Sequence, residues 1–190
     1  MTPAREADTW RTVPNLITAL RILLIVPFIY YAVHGRDFRA VVIFFIASMS
    51  DTIDGTLARW LNQMSKLGRL VDPVADKVLT GISYVVLSCF RGGYTAIPGW
   101  LMASVVIRDV LILLGCWIVY RATRDLGFRP TVFGKLNTFL ELLTIGWFLT
   151  TNVFPVVGPF LPWMYAMTGA SIVISFADYA RQGIRMMRAR

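Results

Sequence analysis

The chain has 190 residues, 56% of them apolar and 16% charged, with a net charge of +8. A soluble domain carries charge on about a quarter of its residues, so this composition excludes an ordinary soluble enzyme and points to an integral membrane protein. Cys89 and Cys116 both sit in apolar stretches and His34 is the one histidine, which excludes a disulfide framework, cysteine metal sites and zinc chemistry built on paired histidines.

Residues 1–13, MTPAREADTWRTV, are too polar for the apolar centre of a signal peptide. They read as a short N-terminal interfacial segment with Trp10 at headgroup level. Apolar runs then predict helices near 14–34, 38–61, 70–90, 95–121, 131–153 and 160–181, each near the length of about 20 residues that crosses a bilayer. The expected fold is therefore all-α: a six-helix transmembrane domain over 14–181, followed by a basic tail at 182–190.

Lys and Arg set the orientation. Arg5, Arg11, Lys66, Arg69, Arg121, Arg124, Arg129, Arg181, Arg185, Arg188 and Arg190 fall in or beside the two tails and the even-numbered connections. Only Arg36, Arg39 and Arg91 fall on the other side, so both termini are expected in the cytoplasm. The basic residues are spread between apolar segments and not gathered on one soluble unit, which speaks against nucleic acid and for anionic lipid or a phosphate-rich substrate at the membrane surface.

A carboxylate at the bilayer centre costs about 2.5 to 3.5 kcal/mol, yet the second and third segments hold Asp51, Asp54, Asp72 and Asp76. On a helix Asp51, Asp54, Gly55 and Ala58 share one stripe, and Gly68, Asp72 and Asp76 share another, provided Pro73 sits in the first helical turn. Two helices joined by a short cytoplasmic turn then face each other with two carboxylates apiece. An ion pair with Arg59 or Lys77 accounts for one isolated aspartate; four at this spacing repel unless cations sit between them. Oxygen-only ligands select hard ions, Mg2+ or Mn2+, and four carboxylates can hold two.

The order Asp51, Asp54, Gly55, Ala58, Arg59, Gly68, Asp72, Asp76 resembles the signature D-x2-D-G-x2-A-R-x8-G-x3-D-x3-D of the CDP-alcohol phosphatidyltransferase family at every fixed position. The resemblance implies metal-dependent transfer of a phosphatidyl group from CDP-diacylglycerol to an alcohol, with release of CMP. It further implies that Asp51, Asp54 and Asp72 are metal ligands and that Asp76 approaches the metal and takes the proton of the attacking hydroxyl. Gly55, Ala58 and Gly68 would border the CDP moiety, with Arg59 donating to the pyrophosphate. The stretch PNLITALRI, with Asn15, Thr18 and Arg21 one turn apart, is similar to a segment the family carries beside the nucleotide. A homodimer is implied by the resemblance alone.

The acceptor should be read by polar groups elsewhere: Arg108 and Asp109 in the fourth segment, and Lys135, Asn137, Thr138 and Glu141 in the fifth. Arg108, Lys135 and Asn137 are the candidate acceptor-binding residues, against a structural ion pair of Arg108 with Asp109 or Glu141. The run RPTVFGKLNTFLEL resembles a stretch of the CMP-forming cardiolipin synthases. In the related phosphatidylglycerophosphate synthases a second lysine stands where this chain has Asn137. One positive charge fewer suits a phosphodiester acceptor such as phosphatidylglycerol, with glycerol 3-phosphate as the alternative. Two rivals from other classes are a cation-coupled transporter with its acidic cluster at the midplane, and an inactive scaffold that binds anionic lipid.

Overall fold

The computed structural model describes the backbone of residues 13–61, 68–91, 95–123 and 131–188, and the side chains of residues 20–50, 77–91, 95–115, 118, 121 and 131–185. Helices α1 (Val13–Val33), α2 (Asp37–Leu61), α3 (Gly68–Cys89), α4 (Gly99–Thr123), α5 (Val132–Val153) and α6 (Leu161–Arg188) follow one another, with a 3-10 turn at Pro155–Phe160 before α6. Among the described residues there is no strand.

The reversals follow from local chemistry. α1 ends on Gly35, whose φ of 65° would strain any side chain. The Arg36 N–H donates to the Tyr31 carbonyl at 2.9 Å and the Gly35 N–H to Ala32 at 3.3 Å, the paired bonds of a Schellman turn. α2 therefore runs back along α1.

α4 begins at Gly99 and not near residue 95, because Pro98 disfavours the helical conformation at Ile97. The Pro98 carbonyl accepts the first bonds of α4 from Leu101 and Met102, and the Ile97 N–H donates to Leu87 at 3.1 Å, tying the connection to α3. α5 opens on Thr131, whose hydroxyl accepts from the Gly134 N–H at 3.0 Å. α6 continues to Arg188, past the expected end near 181, since Arg181–Arg188 has no proline and, apart from Gly183 and Ile184, consists of good helix formers.

α1 packs on α2 and α3, α5 on α2, α3 and α6, and α4 on α3 and α6. Every helix sends a buried side chain to one core: Phe28, Phe44, Leu87, Leu101, Phe148 and Ile172. The outward faces are apolar as well, with Leu23, Val26, Met49, Leu113, Phe139 and Val173 exposed. Buried polar groups lie inside, among them Arg21, Arg108, Asn137 and Glu141. That distribution suits an apolar solvent. Among the described residues two helices, Val132–Val153 and Pro155–Arg185, are long and apolar enough to cross a membrane, and Leu20–Val33 and Lys77–Cys89 are shorter apolar stretches.

One ion pair locks the end of the bundle where α2 begins and α3 finishes. Arg91 gives Nη1 and Nη2 to the two carboxylate oxygens of Asp37 at 2.7 and 3.0 Å. Its guanidinium lies over the Phe148 ring. Arg91 is 2% exposed, so it is a buried clamp and not a free surface charge.

Candidate active site

The antiparallel run of α1, α2 and α3 brings three sequence segments to the same end of the bundle. These are the opening turns of α1 with Asn15, Thr18 and Arg21, the closing turns of α2 with Asp51, Asp54, Gly55, Ala58 and Arg59, and the opening turns of α3 with Gly68, Asp72 and Asp76. α3 starts at Gly68, so Pro73 stands in its second turn and not in the first as the sequence suggested. The backbone stays helical through it, and the i, i+4, i+8 spacing from Gly68 is kept. Lacking an N–H, Pro73 cannot donate a helical bond to the Arg69 carbonyl.

The side chains of Asp51, Asp54, Gly55, Ala58, Arg59, Gly68, Asp72 and Asp76, and of Asn15 and Thr18, lie outside the described residues. Arg21 is described and is 1% exposed, which fits a cation turned into the bundle better than one reaching along lipid to the surface. Among the described residues no three His, Cys, Asp or Glu side chains gather.

Directly after Asp76, Lys77 starts a circuit of polar contacts whose two arms run through four helices. Its Nζ donates to Asp109 Oδ1 at 3.0 Å and lies 3.7 Å from Glu141 Oε2. From Asp109 the circuit passes to Arg108, whose Nη1 donates to the same Oδ1 at 2.6 Å and whose Nη2 donates to Ser175 Oγ at 2.7 Å. From Glu141 it passes to Asn137, whose Nδ2 donates to Oε1 at 2.5 Å. Ser171 Oγ then donates to Asn137 Oδ1 at 2.8 Å. Ser171 and Ser175, where the two arms end, stand one turn apart on α6. Arg108 also packs over the Tyr179 ring, and the Tyr84 hydroxyl donates to the Glu141 carbonyl at 3.3 Å.

Of the candidate acceptor residues, the structure joins Arg108 and Asn137 in this circuit and leaves Lys135 apart, exposed on the outer side of α5. Thr138 turns its hydroxyl to the Gly134 carbonyl within its own helix. The ion pair of Arg108 with Asp109, weighed from the sequence, is present. Lys77, considered there as a partner for an aspartate of its own motif, is engaged by Asp109 and Glu141. The α6 residues escaped sequence reasoning, although Thr168, Ser171 and Ser175 form a polar stripe at i, i+3 and i+7 in an apolar segment. Thr168 pairs with Thr144 at 2.6 Å.

The sequence profile of the CDP-alcohol phosphatidyltransferases matches residues 11–176. The chain belongs to this family. As a member of it, the chain is 33% identical over 193 residues to the probable cardiolipin synthase (CMP-forming) of Drosophila melanogaster, covering 92% of this chain and 58% of the fly protein. It is 31% identical over 208 residues to the cardiolipin synthase (CMP-forming) of Homo sapiens, covering 98% of this chain and 67% of the human one. It is 33% identical over 146 residues to the CDP-diacylglycerol–glycerol-3-phosphate 3-phosphatidyltransferase of Escherichia coli K12, covering 72% of this chain and 76% of the bacterial one. The chain thus spans little more than half the length of the fly relative.

Proposed function

We propose that the protein transfers a phosphatidyl group from CDP-diacylglycerol to phosphatidylglycerol, forming cardiolipin and releasing CMP. The observation that carries this reading is membership of the family together with an intact eight-position signature, carried on the closing turns of α2 and the opening turns of α3, consecutive helices that both pack on α1.

The donor set offered by Asp51, Asp54, Asp72 and Asp76 is oxygen only and anionic, which fits Mg2+ or Mn2+, two ions in number. When bound, these ions neutralise the nonbridging oxygens of the pyrophosphate. Asp76 accepts the proton of the acceptor hydroxyl as its oxygen bonds to the lipid-bearing phosphorus. The bond from that phosphorus to the bridging oxygen breaks, and its electron pair leaves with CMP. Arg59 donates to the pyrophosphate, Gly55, Ala58 and Gly68 leave room for the nucleotide, and Asn15, Thr18 and Arg21 approach it from α1.

Phosphatidylglycerol as acceptor is supported by the names of the fly and human relatives, which cover nearly all of this chain. Glycerol 3-phosphate is the second reading, favoured by the bacterial relative.

Six membrane spans, with both termini and the site on the cytoplasmic side, are supported by the apolar outer faces and by the Lys and Arg asymmetry. The burial of Arg91 against Asp37 sharpens that asymmetry. The segment boundaries at residues 13 and 181, a homodimer and contact with membrane lipids complete the proposal.

The test is product analysis by mass spectrometry with CDP-diacylglycerol and Mn2+ or Mg2+, offering phosphatidylglycerol, glycerol 3-phosphate, inositol phosphate or serine separately. Cardiolipin plus CMP from the first reaction is expected. Phosphatidylglycerophosphate from the second would keep the chemistry and change the acceptor. No CMP from any reaction would overturn the transferase reading in favour of transport or lipid binding.

A further inference from the structure

Lys77 is the α3 side chain on which both arms of the circuit end, Tyr84 two turns on adding a bond to the Glu141 carbonyl, and Lys77 stands next to Asp76 in the chain. The circuit has two arms that start on adjacent turns of α6. One runs from Ser171 through Asn137 to Glu141, the other from Ser175 through Arg108 to Asp109. Both end on the Lys77 ammonium. Asn137 and Glu141 are 0% exposed, Arg108 is 4% exposed, and Lys77 keeps 30% of its side chain open.

Burying ions costs several kcal/mol apiece, and apolar residues of equal volume often serve stability as well or better. Two polar arms that converge on one ammonium do something an apolar core cannot: they favour one rotation and one height of α3 against α4, α5 and α6. A slide of one residue along α3 would move Lys77 by about 1.5 Å along the axis. It would also turn the side chain away from both carboxylates.

We propose that Lys77, held by Asp109 and Glu141, is a positioning residue that fixes the turn of α3 carrying Asp76, with Ser171 and Ser175 as the distant anchors of that hold. The proposal rests on the transferase reading above and adds residues on α4, α5 and α6 that need not touch the donor. It assigns Asn137 to this frame, where its amide and carbonyl are both taken, and not to the acceptor.

The test uses the full-length protein in detergent or liposomes, with CMP release measured against CDP-diacylglycerol concentration. Lys77→Met is expected to lower kcat on the order of 100-fold, the usual loss for a displacement near 1 Å. KM for the donor should change far less than kcat, because most of the proposed nucleotide contacts, from Asn15, Thr18, Arg21, Gly55, Ala58 and Arg59, lie on α1 and α2. Lys77→Arg should recover most of kcat by restoring the cation. Ser171→Ala and Ser175→Ala, which remove no charge, should lower the melting temperature slightly and each lower kcat several-fold in protein still fully folded at the assay temperature, and the pair should lose less than the product of the two.

A folded Lys77→Met protein with native kcat would overturn the proposal. So would a loss of kcat that only tracks the folded fraction. Should Lys77→Met fail to fold, native kcat in the double serine variant would overturn it equally. Native protein that releases no CMP would overturn the transferase reading and this one together, whereas native turnover with indifferent variants would overturn this one alone.

Discussion

Two aspartate sets in this chain have different work. Asp37 and Asp109 are bonded to buried cations, so their charges are spent on structure. Asp51, Asp54, Asp72 and Asp76 are proposed for chemistry. Asp76→Asn should abolish CMP release while folding and nucleotide binding persist, because an amide cannot take the hydroxyl proton; equilibrium binding of CDP-diacylglycerol beside the activity assay checks both halves. Asp51→Asn and Asp72→Asn should in addition shift the Mg2+ or Mn2+ titration to higher concentrations. At the far end, Asp37→Ala leaves the Arg91 guanidinium buried without its carboxylate. A loss of about 3 to 5 kcal/mol is expected, read as a lowered melting temperature in detergent.

Helix ends decide how much of the pattern becomes structure. The Schellman bonds at Gly35 turn α2 back on α1, and that reversal carries Asp51 and Asp54 to the end where Arg21 stands. The Thr131 cap fixes where α5 starts, and so the height of Asn137 and Glu141. Thr131→Ala should cost about 1 kcal/mol, measurable by thermal melting. One turn into α5, a methyl on Gly134 would come within 2.6 Å of the Tyr179 hydroxyl. Gly134→Ala should therefore push Tyr179 away from Arg108 and lower the melting temperature, and Gly134→Ser should do no better. Helix existence was plain from the apolar runs, whereas starts were not: Pro98 delayed α4 to Gly99, and α3 is already helical at Gly68. Local backbone chemistry, and not hydropathy, decides those turns.

For the molecule as a whole, apolar outer faces around buried ions demand an apolar surrounding. The proposed orientation makes a direct prediction in the background lacking Cys89 and Cys116. Ser65→Cys, in the second connection, should be labelled by a membrane-impermeant maleimide only from the cytoplasmic side. Val156→Cys, exposed in the 3-10 turn, should be labelled only from the other side. Labelling of both from one side would refute the six-span topology.

The sequence by itself determined the membrane class, the succession of helices and the eight signature positions, because apolar length and residue spacing along one helix are local properties. It also exposed Arg108, Asn137 and Glu141 as anomalies, since buried polar groups stand out in an apolar run. Their partners were decided only by tertiary structure. Lys77 lies 32 residues from Asp109, and Arg108 lies 67 from Ser175, so nothing in local spacing distinguishes these pairings from the contact of Lys77 with its own motif. Packing of α3, α4, α5 and α6 brings the charges together, and the expense of an unpaired charge in an apolar interior selects an arrangement in which each meets an opposite one, although Glu141 Oε2 and Arg108 Nε have no hydrogen-bond partner.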